Sequence, residues 1–183
     1  MRRFSPCWRE MRRVTRPDPH AGHPADSGEV AHFRALERLY LSAPINRIFK
    51  SRLTITEQGH SRIDFSVDEH FYHAAGAVHG TSYFKMLDDA AFYAANSLVN
   101  DRFLLTTAFN LLFTKPLTTG PIIAEGRWIS GKRRVYVADA RLIDAHGEEV
   151  ARGTGTFMRS HTPLSSLAGY ALEQGKGDRS RHV

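Results

Sequence analysis

Two adjacent acids, Asp88 and Asp89, stand inside a run from Gly80 to about Leu98 whose apolar residues recur at helical spacing. At about 100° per residue, Tyr83, Leu87, Ala91, Ala94 and Leu98 fall in one stripe, the face expected to be buried. Asp88 lies at the edge of that stripe, between Phe92 and Ala95, where partial desolvation disfavours the charged form. Two roles fit a carboxylate there: a helix-edge acid paired with an Arg or Lys, or a general base held against an apolar substrate groove. Asp89 projects into the opposite, polar face with Ser82, Lys85 and Asn96, and is expected to be merely solvated.

Upstream of this helix, His73 to Gly80 reads HAAGAVHG. Its glycines allow close backbone approach, and a helix N-terminus presents N–H groups at the positive end of a dipole. Gly80 is therefore either an oxyanion-hole donor or simply an N-cap glycine. His70, His73 and His79 supply imidazoles, but without a helical i, i+4 pair, an HExxH pattern or a Cys partner no metal is expected. The sequence has no Gly-rich phosphate loop, no GxSxG elbow and no CxxC pair, which removes the enzyme classes built on them.

These residues must be positioned by the elements around them. Val30, Phe33, Leu36, Leu39 and Tyr40 give a short amphipathic helix over Glu29 to Leu41, which Pro44 ends. A period of two follows, with Leu53 and Ile55, then Ile63, Phe65 and Val67, about a turn at Gly59: a hairpin. After the long helix come four strand-like runs, Phe103 to Phe113, Ile122 to Ile129, Arg134 to Ile143 and Val150 to Met158. Thr119-Gly120-Pro121, Ser130-Gly131-Lys132 and Asp144-Ala145-His146-Gly147 supply the turn chemistry between them. Short connections make the strands antiparallel, and one long apolar helix needs a sheet to cover it, so the class is α+β. One domain is expected over residues 29–160, between a disordered basic segment, 1–28, and a flexible tail, 161–183.

The 183 residues carry a formal charge of +6. Six arginines (2, 3, 9, 12, 13 and 16) face only Glu10 and Asp18 in the first eighteen residues, leaving +2 for everything else. Without a helix-turn-helix pattern such a segment gives only salt-sensitive attachment, so no specific nucleic-acid partner is expected. It fits an organellar targeting segment, a solvated tail, or sequence upstream of a start at Met11. The single Cys7 permits no intrachain disulfide, which makes a reducing cytoplasm the default, and no apolar run approaches the length of a membrane span.

The stretch His73 to Asn96, HAAGAVHGTSYFKMLDDAAFYAAN, resembles the signature of the PaaI-like hotdog-fold acyl-CoA thioesterases. Their pattern is Asn-x-x-Gly-x-x-His-Gly-Gly with an Asp nine residues after the His; here Gly76, His79, Gly80 and Asp88 fall in place. Relatives also carry a Ser or Thr eighteen residues after the Asp, an Asn four further on and a Pro beyond, matched by Thr106, Asn110 and Pro116. The resemblance implies an antiparallel sheet wrapped around the long central helix over roughly Val30 to Arg159. It also implies subunits paired sheet edge to sheet edge, as a dimer or a dimer of dimers, with active sites at the subunit interface.

Carried onto this chain, the resemblance makes Asp88 the general base or nucleophile, with Thr106 orienting water from the same subunit. The Gly80 N–H and His73 of the other subunit then polarise the thioester carbonyl, and His79, Thr81 and Asn110 contribute to substrate binding. No cofactor is implied, coenzyme A being part of the acyl-CoA substrate. The chain departs from the pattern twice: His73 replaces the usual Asn and Thr81 the second Gly. His73 can still donate, from one nitrogen when neutral and from two when charged. The alternative is a hotdog protein that binds acyl-CoA without hydrolysing it, against which the retained Asp88 and Thr106 count. A hotdog dehydratase is suggested by His70-Phe71, but such enzymes place an acid fourteen residues after the His, where this chain has Phe84.

Overall fold

A computed structural model of the chain describes residues 26–170. Helix α1 (Ser27–Ser42) opens on Asp26, whose side chain accepts from the Glu29 N–H while the Glu29 carboxylate accepts from the Asp26 N–H, a reciprocal capping box. Ala43, forced extended by the proline after it, ends α1. Pro44 is more than a stop, however. It occupies the first turn of a second helix, α2 (Pro44–Phe49), where a missing N–H costs nothing, so the chain is helical where only a helix end was expected.

The hairpin of β1 (Arg52–Glu57) and β2 (His60–Val67) precedes the long helix α3 (Gly80–Asn96). The strands β3 (Arg102–Phe113), β4 (Gly120–Ser130), β5 (Val135–Ile143) and β6 (Glu149–Pro163) follow. All pairings are antiparallel, in the order β1-β2-β4-β5-β6-β3, and the sheet curves around α3: the expected α+β hotdog architecture.

Helix and sheet approach closely at Gly126 on β4, where a Cβ would lie 2.1 Å from the Ala90 carbonyl oxygen; Ser61 beside it donates to that oxygen at 2.6 Å. Neither backbone can retreat without breaking the strand pairing on both sides of β4. Gly126→Ala is expected to destabilise by about 2 to 3 kcal/mol, as overpacked sites do, and to lower Tm by roughly 5 to 10 °C. An unchanged melting curve would show that the contact is loose.

The stripe Tyr83, Leu87, Ala91 and Ala94 is buried, but so are Ser82 and Asn96 on the side taken for polar. Helices α1 and α2 cover that side: Tyr40 packs edge-on against Tyr93, and Lys85 donates to Asn46 Oδ1 at 2.7 Å. Past residue 160, where a flexible tail was expected, β6 continues to Pro163 and 3-10 turns follow at Leu164–Ser166 and Ala168–Tyr170. Leu164 and Tyr170 are buried. His32 Nε2 donates to the Asn96 carbonyl at 3.2 Å, so Nδ1 accepts from the Tyr170 hydroxyl at 2.6 Å. Burial holds the His32 pKa below its ordinary value, in keeping with that neutral role. The basic N-terminal segment up to residue 25, with Cys7 and Met11, and the tail from 171 lie outside the described residues.

Candidate active site

Asp88 and Thr106 meet between α3 and β3, the Thr106 hydroxyl donating to Asp88 Oδ1 at 3.0 Å. Asn96, fully buried, holds the start of β3 in place. Its amide nitrogen donates to the carbonyls of Val99 (3.1 Å) and Arg102 (3.3 Å), and its oxygen accepts the Leu104 N–H at 3.1 Å. The helical phase puts Asn96 on the polar face, and its task of tethering the strand that carries Thr106 is visible only in the fold.

The two residues open on a cavity of about 260 Å³ walled by Tyr40, Phe92, Tyr93 and Phe103. In these apolar surroundings the Asp88 carboxyl is pushed up to about 6, chiefly by desolvation. The Thr106 hydrogen bond and the Lys85 charge pull it down, and the Asp89 charge pushes it further up.

Asp89 is not a solvated acid. Its side chain is 20% exposed and ion-paired with Lys85, itself 14% exposed. Tyr40 also bonds to it, and burial raises the Asp89 pKa. The helical wheel placed Asp89 opposite the apolar stripe; α1 and α2, packed over that face, turned it into an interior one.

The second group forms around the N-terminus of α3. Gly76, at φ 80°, closes a turn in which its N–H bonds the His73 carbonyl at 3.0 Å and the His73 N–H bonds the Ala77 carbonyl at 2.9 Å. His73 Nδ1 accepts the Ala75 N–H at 3.1 Å, so the neutral ring carries its proton on Nε2, leaving one N–H to donate. His79 is the N-cap of α3, its Nδ1 accepting the Thr81 N–H at 3.1 Å with the Thr81 hydroxyl 3.0 Å away. Both residues thus spend polar atoms on capping. Gly80 is the first helical residue rather than the cap, and its N–H has no acceptor within the helix. A cleft of about 490 Å³ lies over His73, Gly80, Tyr83 and Phe113.

Within one protomer the Asp88–Thr106 and His73–Gly80 pairs line separate cavities. Asn110 joins neither. Four residues is an even step that would place Asn110 on the same strand face as Thr106, but the register shifts between Thr106 and Ala108. Thr106 therefore pairs with buried Phe157 and faces α3, whereas Asn110 pairs with exposed Thr154 on the outer face. Among the described residues no group of three or more His, Cys, Asp or Glu converges as metal ligands, and no helix is long and apolar enough to cross a membrane.

Residues 75–151 match the family model of the thioesterase superfamily. The fold is a hotdog fold. It is shared with the E. coli PaaI protein of the phenylacetic acid degradation operon, at TM-score 0.68 and 17% identity over 74% of this chain and 97% of that one. A Streptococcus mutans UA159 protein, solved bound to acetyl CoA, aligns at TM-score 0.55 and 21% identity, over 59% of this chain and 86% of that one. In sequence, a Sulfurisphaera tokodaii protein provisionally described as an esterase is 26% identical over 61% of this chain and 83% of its own length.

Proposed function

We propose that this protein is an acyl-CoA thioesterase that hydrolyses the thioester with a water activated by Asp88. The carrying observation is the desolvated Asp88 carboxylate at the mouth of an aromatic cavity, with the Thr106 hydroxyl on one of its oxygens. A carboxylate pushed towards neutrality is a stronger base than a solvated one, and the bond from Thr106 fixes which lone pair faces the water. As water attacks, its proton passes to Asp88 and the carbonyl oxygen becomes an oxyanion. Gly80 N–H and His73 Nε2–H, from a second copy, stabilise that charge. The tetrahedral intermediate then expels the thiolate of coenzyme A and leaves the free acid. The acetyl CoA bound by the Streptococcus mutans protein supports a coenzyme A thioester as substrate.

The second copy is supported by β3. This twelve-residue strand forms an open sheet edge, and Leu105, Leu112 and Phe113 are each more than half exposed along it. A long apolar edge strand is a template for pairing with another chain. Pairing two β3 edges would extend one sheet across both protomers and bring the two half-sites towards each other.

A panel of acyl-CoAs of varied chain and ring type, assayed for free thiol, tests the reading. Turnover is expected to fall as the pH drops through about 6, because the base must be ionised and Asp88 protonates there. An acidic limb near the ordinary carboxylate range would assign it to a more solvated group. Tight acyl-CoA binding with no thiol release would point instead to a non-catalytic acyl-CoA-binding protein.

A further inference from the structure

Lys85 and Asp89 form a partly buried ion pair one helical turn and one residue from Asp88, and the reaction derived above uses neither. An ion pair removed from water is costly to form and costly to break, and well-packed apolar residues would serve α3 at least as well. Its surroundings are specific. The Lys85 ammonium donates to Asp89 and to Asn46 Oδ1, and lies over the rings of Tyr40 (5.1 Å) and Phe49 (5.5 Å). Tyr40 in turn shares a 2.5 Å hydrogen bond with Ser51. The same cavity is lined by Lys85, Asp88 and Asp89 together.

We propose that Lys85 and Asp89 are positioning residues held as a balanced pair, each offsetting the other's charge at Asp88 so that neither one alone biases its protonation. This rests on Asp88 being the base. The two charges reach Asp88 with opposite sign, Asp89 favouring its protonated form and Lys85 its ionised form. While the pair is intact these effects largely oppose each other, and desolvation sets the value. The other titratable groups facing the cavity are Tyr93 from α3 and Tyr40 from α1, both raised above their ordinary value by burial and neutral throughout the working range. The remaining polar groups, Asn46 of α2 and Thr106 of β3, do not titrate there. Asp88 therefore has one ionised neighbour of each sign, and α1 and α2 shield both from most of the solvent.

Two single substitutions separate this role from a purely structural one. Asp89→Asn leaves Lys85 uncompensated beside Asp88 and is expected to move the acidic limb of the pH–rate profile down by about one unit, the scale of an opposite charge at close range. Lys85→Met keeps the stem on Tyr40 and Phe49 but leaves two carboxylates side by side, and should move the limb up. Asp89→Glu keeps both charges and is expected to keep the limb. The Asp88 carboxyl-carbon resonance, followed by NMR titration in the same proteins, should shift in the same directions. It reports whether or not thioesters are turned over, so failure of this inference and failure of the thioesterase reading are distinguishable. A folded Asp89→Asn or Lys85→Met protein whose Asp88 titrates as in the parent overturns the proposal, as would a moved titration in Asp89→Glu.

Discussion

Replacing Asp88 with Asn is expected to lower turnover by two or more orders of magnitude while leaving the fold intact and, at neutral pH, more stable. The first part follows from removing a positioned general base. The second follows from the same desolvation that makes Asp88 a base. Its folded value of about 6 stands above the ordinary 3.8, so the native protein binds this proton more tightly than the unfolded chain does. Native stability therefore declines as pH rises from about 4 to about 6, and above that the loss is complete. The cost is at most about 3 kcal/mol and is reduced by the partial exposure of the group. Asn carries no such charge. The variant should melt several degrees above the parent near pH 8 and together with it near pH 4. Full activity in Asp88→Asn would remove the proposed mechanism. A gain in Tm that persisted at pH 4 would show that charge is not its cause.

Two inactive variants are expected to restore one another. If Asp88 and Thr106 act with Gly80 and His73 of a second copy, neither Asp88→Asn nor His73→Ala is active by itself. Loss of one oxyanion donor costs about a hundredfold or more. A hetero-oligomer of the two places both lesions in one site and leaves the other intact. Co-refolding equal amounts makes about half the dimers mixed, each with one working site of two, so activity near a quarter of the parent's is expected. Differently tagged chains confirm the mixing. Mixed oligomers without recovery would mean that each protomer holds its own complete site. The separate cavities around the two pairs favour the shared arrangement, as does the open β3 edge.

What local patterning could decide was legible in the chain. Alternation of Leu53 and Ile55 with Ile63, Phe65 and Val67, the helical stripe through Tyr83 and Leu87, and the turns at Gly59, Gly120 and Gly131 specify the strands, the central helix and their order. These signals are local in sequence, and tertiary packing reinforced them. Asp88 was also locatable, because the helical phase alone puts it at the edge of the apolar stripe. What the sequence by itself did not determine was how far that stripe extends around α3. A wheel counts residues of one helix, and burial depends on what packs against it: α1 and α2 enclosed Asp89 with Lys85 and converted an apparently solvated acid into an interior charge beside Asp88. Strand faces were lost in the same way, since the bulge after Thr106 arises from pairing with β6 and turns Asn110 away from the face that spacing assigned to it. The roles of His79, as cap, and of His73, with Nδ1 engaged and Nε2 left to donate, depend on backbone N–H groups that only the folded loop brings within reach. Residue types and their periods determined the strands, the central helix and the place of Asp88 at the edge of its stripe; the contacts between elements determined which polar groups are desolvated, and desolvation is what raises the basicity of a carboxylate.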